Sequence, residues 1–568
     1  MPNPSPPSAR FRRKRLPPSA IRGRRRANYT NEDEDTDVST WIHRCADDPG
    51  PRGTGPLAGL RLAVKDNVDV AGLPTTAGCP DYAYLPDRDA PAVAALRAAG
   101  AVVVGKTNMD QFATGLVGTR SPYGPVADSR RPEFISGGSS SGSAVAVATG
   151  AADLAIGTDT AGSGRVPAAL QGIVGIKPTV GVVSTEGVVP ACGSYDCVTI
   201  FAADPARADQ AMGVMAAGAP GRAWPADTRL AAPPRPTVAI FADLPELDPV
   251  WRAAFERTVA VLRRRGASIV EIDSAPFLAA ARLLYDGALV AERYAAVGEF
   301  IESRPDAVDP TVASIIRAAG AIPAHRLVAD RAELERLRAL AMEGLGDADA
   351  LLAPTAPMHP TIAQVEADPI GINSRMGTYT NFCNLFDLCA VAVPAGMAGE
   401  SCFGVTVFAR PFEDAVALDI AVSITGDAEI TRPWPLAVAP MCELIVFGAH
   451  LRGQPLAHQL PALGARWAGP VRTAAAYRLA ALDTTPPKPA VTRCEGGASV
   501  AGERWLLSPA ALGRFLAALP APMQLGAVEL DDGTWHTAFG CDGTAAAEGK
   551  DISEYGDWRA ALAAGAVG

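Results

Sequence analysis

The sequence predicts an α/β body that carries a smaller α+β unit at its C-terminal end. Three observations carry this expectation. Helix-like and strand-like apolar segments alternate from Trp41 to about residue 425, a Pro-rich lapse follows at 425–440, and short strand-like runs dominate after it. Length agrees, since 568 residues suffice for two to four domains with sizeable cores.

The elements follow in chain order. "ARFRRKRLPPSAIRGRRR" is basic and Pro-rich and "NEDEDTD" is acidic, so residues 1–38 bury too little apolar surface to fold and are expected to form a disordered extension. A transit peptide or nucleic-acid arm is the alternative for the Arg-rich part, which lacks an amphipathic stripe and an apolar h-region. "LRLAVKDNVDV" is a strand running into a loop, with Lys65 at its end. "APAVAALRAAGAVVVGKTN" reads as helix, glycine stop, buried strand, and "SAVAVATG" with "ADLAIGTDT" repeats that order. "PVWRAAFERTVAVLRRRGASIVEID" is again helix to strand. Such alternation argues for a largely parallel sheet in a body spanning 39–430. "TGDAEITRPWPLAVAP" marks a linker, placed at 431–443, and "CELIVFGAHLRGQPL", "GERWLLS" and "GAVELDDGTWHTAFGCD" place a strand-rich unit at 444–568.

Composition excludes several classes. A net charge of -10 argues against general nucleic-acid binding, and no run of about 20 apolar residues suggests a membrane span. Ten cysteines are too dilute for a disulfide scaffold. They form no C-x-x-C pair, so zinc spacing is absent and reduced buried thiols are expected.

The chemistry concentrates in "GGSSSGS" at 137–143 and in the "GTDTAGSGRVP" that follows it. "GSSSG" fits G-x-S-x-G, the nucleophile elbow, with Ser140 as nucleophile. That reading needs a preceding strand, and "DSRRPEFIS" is a poor one. A phosphate cradle fails because no lysine follows the glycines in register. Ser140, Ser141 and Ser143 otherwise read as loop hydroxyls or as an N-cap for "AVAVA". Lys106 reads as structural, Asp159 as a residue orienting its loop, and His43, His325 and His359 as ordinary partly exposed histidines.

The whole stretch 137–178 resembles the amidase signature family, supported by "GLPTTAG" at 72–78, "GKTNMDQFA" at 105–113 and "YTNFCNLFDLCAVAVPAG" at 379–396. The likeness runs over about residues 40–425. It implies an α/β/α sandwich with a mixed central sheet and a Lys-Ser-Ser triad. On the matching motifs, Ser163 of "AGSGRVP" is the nucleophile, Ser139 the bridging serine held by a cis peptide, and Lys65 of "AVKDN" the base.

Those residue types make chemical sense. A serine hydroxyl needs a base, and no histidine lies between 44 and 324. A lysine serves if neutral, which requires its free pKa of about 10.4 to fall by roughly three units, about 4 kcal/mol. Burial in an apolar strand shifts it that way. "TAGS" can aim successive N–H groups at one oxygen, so Thr160, Ala161, Gly162 and Ser163 are the expected oxyanion hole.

Within that family, "GTDTAGSGRVPAAL" followed by "GVVPACGSYDCVTIFA" looks like the allophanate hydrolases. "LLYDGALVAERYAAV" at 283–297 resembles their Tyr-x7-Arg helix, which makes Tyr285 and Arg293 the carboxylate-binding pair. Asp286 stands where Glu is usual, and Ala288-Leu289 where Pro-Trp is usual. Positions 285, 289 and 293 would share one helix face; the bland alternative is an ion pair of Arg293 with Glu292 or Glu299. Residues 444–568 resemble the second domain of those enzymes, related to γ-glutamylcyclotransferase-like small barrels, with "IVFGAHLRGQPLAHQL" as its ligand loop. His450 is its candidate for a decarboxylation step, against a packing or turn role.

The resemblance implies hydrolysis of allophanate to ammonia and carbon dioxide through N-carboxycarbamate. It implies no metal or organic cofactor, a cytoplasmic homodimer, and a separate biotin-dependent urea carboxylase as the source of substrate. The rival readings are another small-amide amidase, a glutaminase subunit of a tRNA-dependent amidotransferase, and a non-catalytic binding protein on the same scaffold.

Overall fold

The computed structural model describes residues 39–45 and 54–567, so the extension expected over 1–38 lies outside the described residues. Eleven strands build one sheet: β1 (Trp41–Arg44), β2 (Arg61–Lys65), β3 (Val102–Thr107), β4 (Leu154–Asp159), β5 (Val174–Lys177), β6 (Cys197–Ala202), β7 (Thr237–Phe241), β8 (Ser268–Ile272), β9 (Ala350–Pro354), β10 (Cys389–Ala398) and β11 (Ser401–Ala409). Their order across the sheet is β1-β3-β2-β4-β6-β5-β10-β11-β9-β7-β8.

The largely parallel sheet argued from alternation is corrected to a mixed one. Only β2 with β3 and β4, and β7 with β8 and β9, run parallel. The other pairs, among them the β10–β11 hairpin, are antiparallel. Periodicity marks where elements lie but carries no information on their direction.

Side chains alternate across β4 and divide the core into two faces. Leu154 and Ile156 join the large cluster with Leu62, Val64, Leu96 and Met212. Ala155 faces a second cluster with Ala63, Ala144, Val147 and Ala168. Small alanines on that face let the helix Ser141–Ala148, which carries three serine or glycine positions in its first turn, sit close to the strands. The ends of β2 and β4 and the start of this helix meet at one place.

The C-terminal unit is smaller and β-rich. Its strands are β12 (Cys442–Val446), β13 (Arg466–Arg472), β14 (Tyr477–Leu482), β15 (Lys488–Arg493), β16 (Ala501–Leu507), β17 (Met523–Glu529), β18 (Trp535–Cys541) and β19 (Lys550–Asp551). They pair as a five-stranded sheet, β13-β16-β12-β18-β17, and a three-stranded one, β15-β14-β19, around a separate core that includes Leu444, Trp505, Phe515 and Phe539.

The stretch expected as a linker is pinned at several points. Trp434 is buried, its N–H donates to Asp209 Oδ1 at 2.7 Å, and its ring meets that of Trp224 edge-on at 5.7 Å. Proline signals a break in regular structure, which need not be a mobile one. Arg466 fastens the two units together: it is buried, pairs with Asp419 at 2.6 Å, and donates to the carbonyls of Leu230 and Ile430.

Candidate active site

Lys65, Ser139 and Ser163 converge although 74 and 24 positions separate them in sequence. Lys65 Nζ donates to Ser139 Oγ at 2.8 Å and to Thr158 Oγ1 at 2.7 Å, and the Ser139 and Ser163 hydroxyls are 2.9 Å apart. The peptide bond Gly138–Ser139 is cis. Lys65 and Ser139 are fully buried, and Ser163 keeps 4% of its surface exposed. Burial pulls the Lys65 ammonium down from its usual 10.5 to about 7; the carboxylates of Asp110, Asp159 and Asp196 oppose the shift, and the Arg293 cation adds to it. An amine that can lose its proton near neutral pH and two hydroxyls in line with it form a connected hydrogen-bonded path that one proton could follow.

The elbow reading falls. Ser140 Oγ donates to Thr158 O at 3.1 Å and accepts from Thr158 N–H, so its hydroxyl ties the helix start to β4. Ser140 occupies the N-cap position without a side-chain capping bond, which also corrects the capping alternative. Ser141 Oγ donates to Asn108 O, and Ser143 Oγ bonds Thr107 Oγ1 and Ile156 O. These hydroxyls tie the helix to neighbouring segments. Lys106 is structural, buried against Asp66 at 3.3 Å. His325 is exposed, and His359 is fixed between Ser401 Oγ and Ile135 O.

The loop between β4 and the helix Val166–Gln171 is shaped from both ends. Asp159 Oδ2 accepts from Gly164 N–H at 2.9 Å, and its carboxylate pairs with the buried Arg165. Arg165 also donates to Thr380 O and Asn384 Oδ1. Gly162 has φ of +140°, and a Cβ there would stand 2.4 Å from Thr380 Oγ1, so only glycine fits. The N–H groups of Ala161, Gly162 and Ser163 meet no acceptor among the described residues, an arrangement that can receive a developing oxyanion. Thr160 turns its hydroxyl onto Asp196 at 2.5 Å.

Tyr285 and Arg293 also come together, but by another route than one helix face. The helix Ala275–Asp286 stops at Gly287, a single 3-10 turn covers Ala288–Val290, and a new helix runs Ala291–Ser303. Asp330 Oδ2 accepts from Ala288 N–H at 2.5 Å, and a Cβ at 287 would stand 2.5 Å from Leu283 O and 2.8 Å from Asp330 Oδ2, so only glycine fits there. The "DG" dipeptide was the available signal for that break. Arg293 is 1% exposed; it donates to Ala113 O at 3.2 Å, Thr114 Oγ1 at 3.1 Å and Tyr285 Oη at 3.4 Å. Its Nε has no partner, and no carboxylate pairs with it among the described residues. The alternative of a surface ion pair is therefore overturned: Glu292 pairs with Arg331 instead.

His450 is packed inside the C-terminal unit. It is 5% exposed, stacks on Phe539 at 4.7 Å, meets Phe515 edge-on, and bonds Gln459 Oε1 through Nε2 at 2.9 Å. Burial lowers its pKa, so the ring stays neutral and is a poor proton donor at neutral pH.

Sequence reasoning missed Thr158, Asn67 and Asp196. Thr158 is the second oxygen on Lys65, and Asn67 Nδ2 approaches the same hydroxyl at 3.3 Å. Thr158 immediately precedes Asp159 in "GTDT", but neither threonine of that string stands out by type.

Residues 38–418 match the family model described as amidase, and residues 442–563 match that of the allophanate hydrolase C-terminal domain. The chain superposes on the allophanate hydrolase of Kluyveromyces lactis with a TM-score of 0.82 at 38% identity, covering 90% of this chain and 89% of that one. It is 41% identical to the urea amidolyase of Saccharomyces cerevisiae over 545 residues, which is 89% of this chain but 30% of that protein's length. It is 38% identical to the indoleacetamide hydrolase of Pseudomonas savastanoi over 233 residues, which is 40% of this chain and 49% of that protein's length.

Proposed function

This chain belongs to the amidase family, and on that premise we propose that it hydrolyses allophanate through an acyl-enzyme on Ser163. One observation carries the choice of substrate. Arg293 is a buried guanidinium with an unpartnered Nε and, among the described residues, no carboxylate to pair with, next to Tyr285 and close enough to Lys65 to act on its charge. A substrate carboxylate supplies the missing anion. The likeness to the K. lactis enzyme through both units supports the same reading.

In the first step Ser163 attacks the amide carbonyl. Its proton passes to Ser139, whose own proton passes to neutral Lys65. The N–H groups of Thr160, Ala161, Gly162 and Ser163 receive the oxyanion, while the Thr160 hydroxyl holds the loop on Asp196. Lys65 returns the proton to the leaving nitrogen and ammonia departs. Water, activated along the same path, frees N-carboxycarbamate. Loss of carbon dioxide gives carbamate, which yields the second ammonia and carbon dioxide. We assign the amide hydrolysis to the body at 39–430, which holds Lys65, Ser139, Ser163 and Arg293, and the later loss of carbon dioxide to the unit at 444–568.

We further propose a cytoplasmic homodimer supplied by a separate biotin-dependent urea carboxylase. The S. cerevisiae relative is named for urea, and most of its length lies beyond the part this chain matches. Ammonia release from allophanate, glutamine and malonamate, assayed side by side, tests the substrate. Allophanate should be strongly preferred; preference for glutamine would favour the glutaminase of a tRNA-dependent amidotransferase. Failure of a fluorophosphonate to label Ser163 would favour a binding protein.

A further inference from the structure

Glu292 precedes Arg293, yet its carboxylate serves a different neighbour. Oε2 accepts from the N–H of Ser194 at 2.9 Å, and Oε1 meets Arg331 Nη2 at 3.2 Å. Ser194 lies in the segment Ala191–Asp196, which Asp196 folds onto itself. The Asp196 carboxylate accepts from the N–H groups of Ala191 at 2.9 Å and Cys192 at 3.1 Å. It also accepts from the hydroxyl of Thr160, at the head of the loop that presents Ser163. Cys192 Sγ makes a weak contact with Leu289 O at 3.8 Å, inside the turn between Tyr285 and Arg293. One six-residue segment therefore touches the loop of Ser163 through Asp196, the arginine helix through Ser194 and the preceding turn through Cys192.

We propose that Glu292 is a positioning residue: by fastening Ala191–Asp196 to the Arg293 helix, it sets the span between the bound carboxylate and the carbonyl that Ser163 attacks. The proposal rests on the reading of Arg293 as the carboxylate-binding group. The Ser194 bond is the constraint that matters. Both contacts reach the surface, but the Ser194 bond joins a charged acceptor to a donor fixed in the backbone, whereas the Arg331 pair needs a long side chain, 51% exposed, to be held in place. Electrostatics alone predicts the opposite effect. A carboxylate beside an anion site repels the substrate, so its removal would tighten binding.

The test uses the full chain with Glu292→Ala, Glu292→Gln, Arg293→Ala and the Arg293→Ala/Glu292→Ala double variant, each assayed for KM and kcat on allophanate. Glu292→Ala should raise KM about tenfold or more, with kcat changed by less than about threefold. Glu292→Gln should stay within about threefold of wild type, because its amide oxygen still accepts from Ser194 N–H. On the Arg293→Ala background the Glu292→Ala change should add nothing further, as for two residues acting through one interaction. An unchanged or lowered KM, equal losses for Ala and Gln, or additive losses in the double variant would overturn the proposal. A wild-type protein inactive on allophanate, or an Arg293→Ala variant as active as wild type, would instead overturn the reading beneath it.

Discussion

Lys65 Nζ lies 2.8 Å from Ser139 Oγ with both residues fully buried, so the serine faces an amine that water does not reach. The arrangement solves the problem posed by a site without histidine. It lowers the ammonium's pKa by withholding solvent, and the neighbouring carboxylates are too few to reverse the effect.

Ser163→Ala should leave a folded protein with no measurable ammonia release, since the covalent route is lost. Ser140→Ala removes only a hydroxyl bonded to the Thr158 backbone and should retain activity within about tenfold. The reverse pattern would restore the elbow reading.

Activity should rise through an acidic limb near pH 7, where Lys65 loses its proton, and Lys65→Arg should be inactive because arginine stays charged. Stability follows from the same shift. Between about 7 and 10.5 the unfolded chain holds a proton on this lysine that the folded protein has released, so folding gains stability as pH rises, and below 7 the full penalty applies. Relative to Lys65→Met, the wild-type protein should therefore gain unfolding free energy from pH 7 to pH 10, by up to about 1.4 kcal/mol per pH unit. Urea titrations of both proteins at the two pH values measure the difference, and parallel pH dependences would contradict it.

Arg293→Ala should lower kcat/KM for allophanate by roughly 30- to several-thousand-fold, about 2–5 kcal/mol, while sparing neutral amides such as propionamide. Equal losses on charged and neutral amides would make Arg293 a structural residue.

Arg466→Ala leaves the part-buried Asp419 without its cation and the Leu230 and Ile430 carbonyls without their donor, and should cost about 1.5–3 kcal/mol of stability at the junction of the two units. A lowered unfolding midpoint, with KM for allophanate unchanged, is the expected result. An unchanged midpoint would show that the Leu230, Leu436 and Leu506 packing holds the junction by itself.

The sequence by itself determined the α/β class and the strand-rich C-terminal unit, and its likeness to the amidase signature family named the candidate triad. Apolar periodicity records local burial, and "AVKDN", "GGSSSGS" and "AGSGRVP" keep their chemistry in short contiguous strings. Tertiary structure alone decided the strand directions, because hydrogen-bond pairing between segments distant in sequence leaves no trace in either segment's period. It decided that Tyr285 and Arg293 meet across a broken helix, since the Asp330 carboxylate that holds the break lies 42 positions from Ala288. It also decided which of five nearby serines connect to the buried lysine. Ser140 and Ser139 are adjacent and chemically identical, and they differ only in whether the hydroxyl faces a backbone carbonyl or a buried amine.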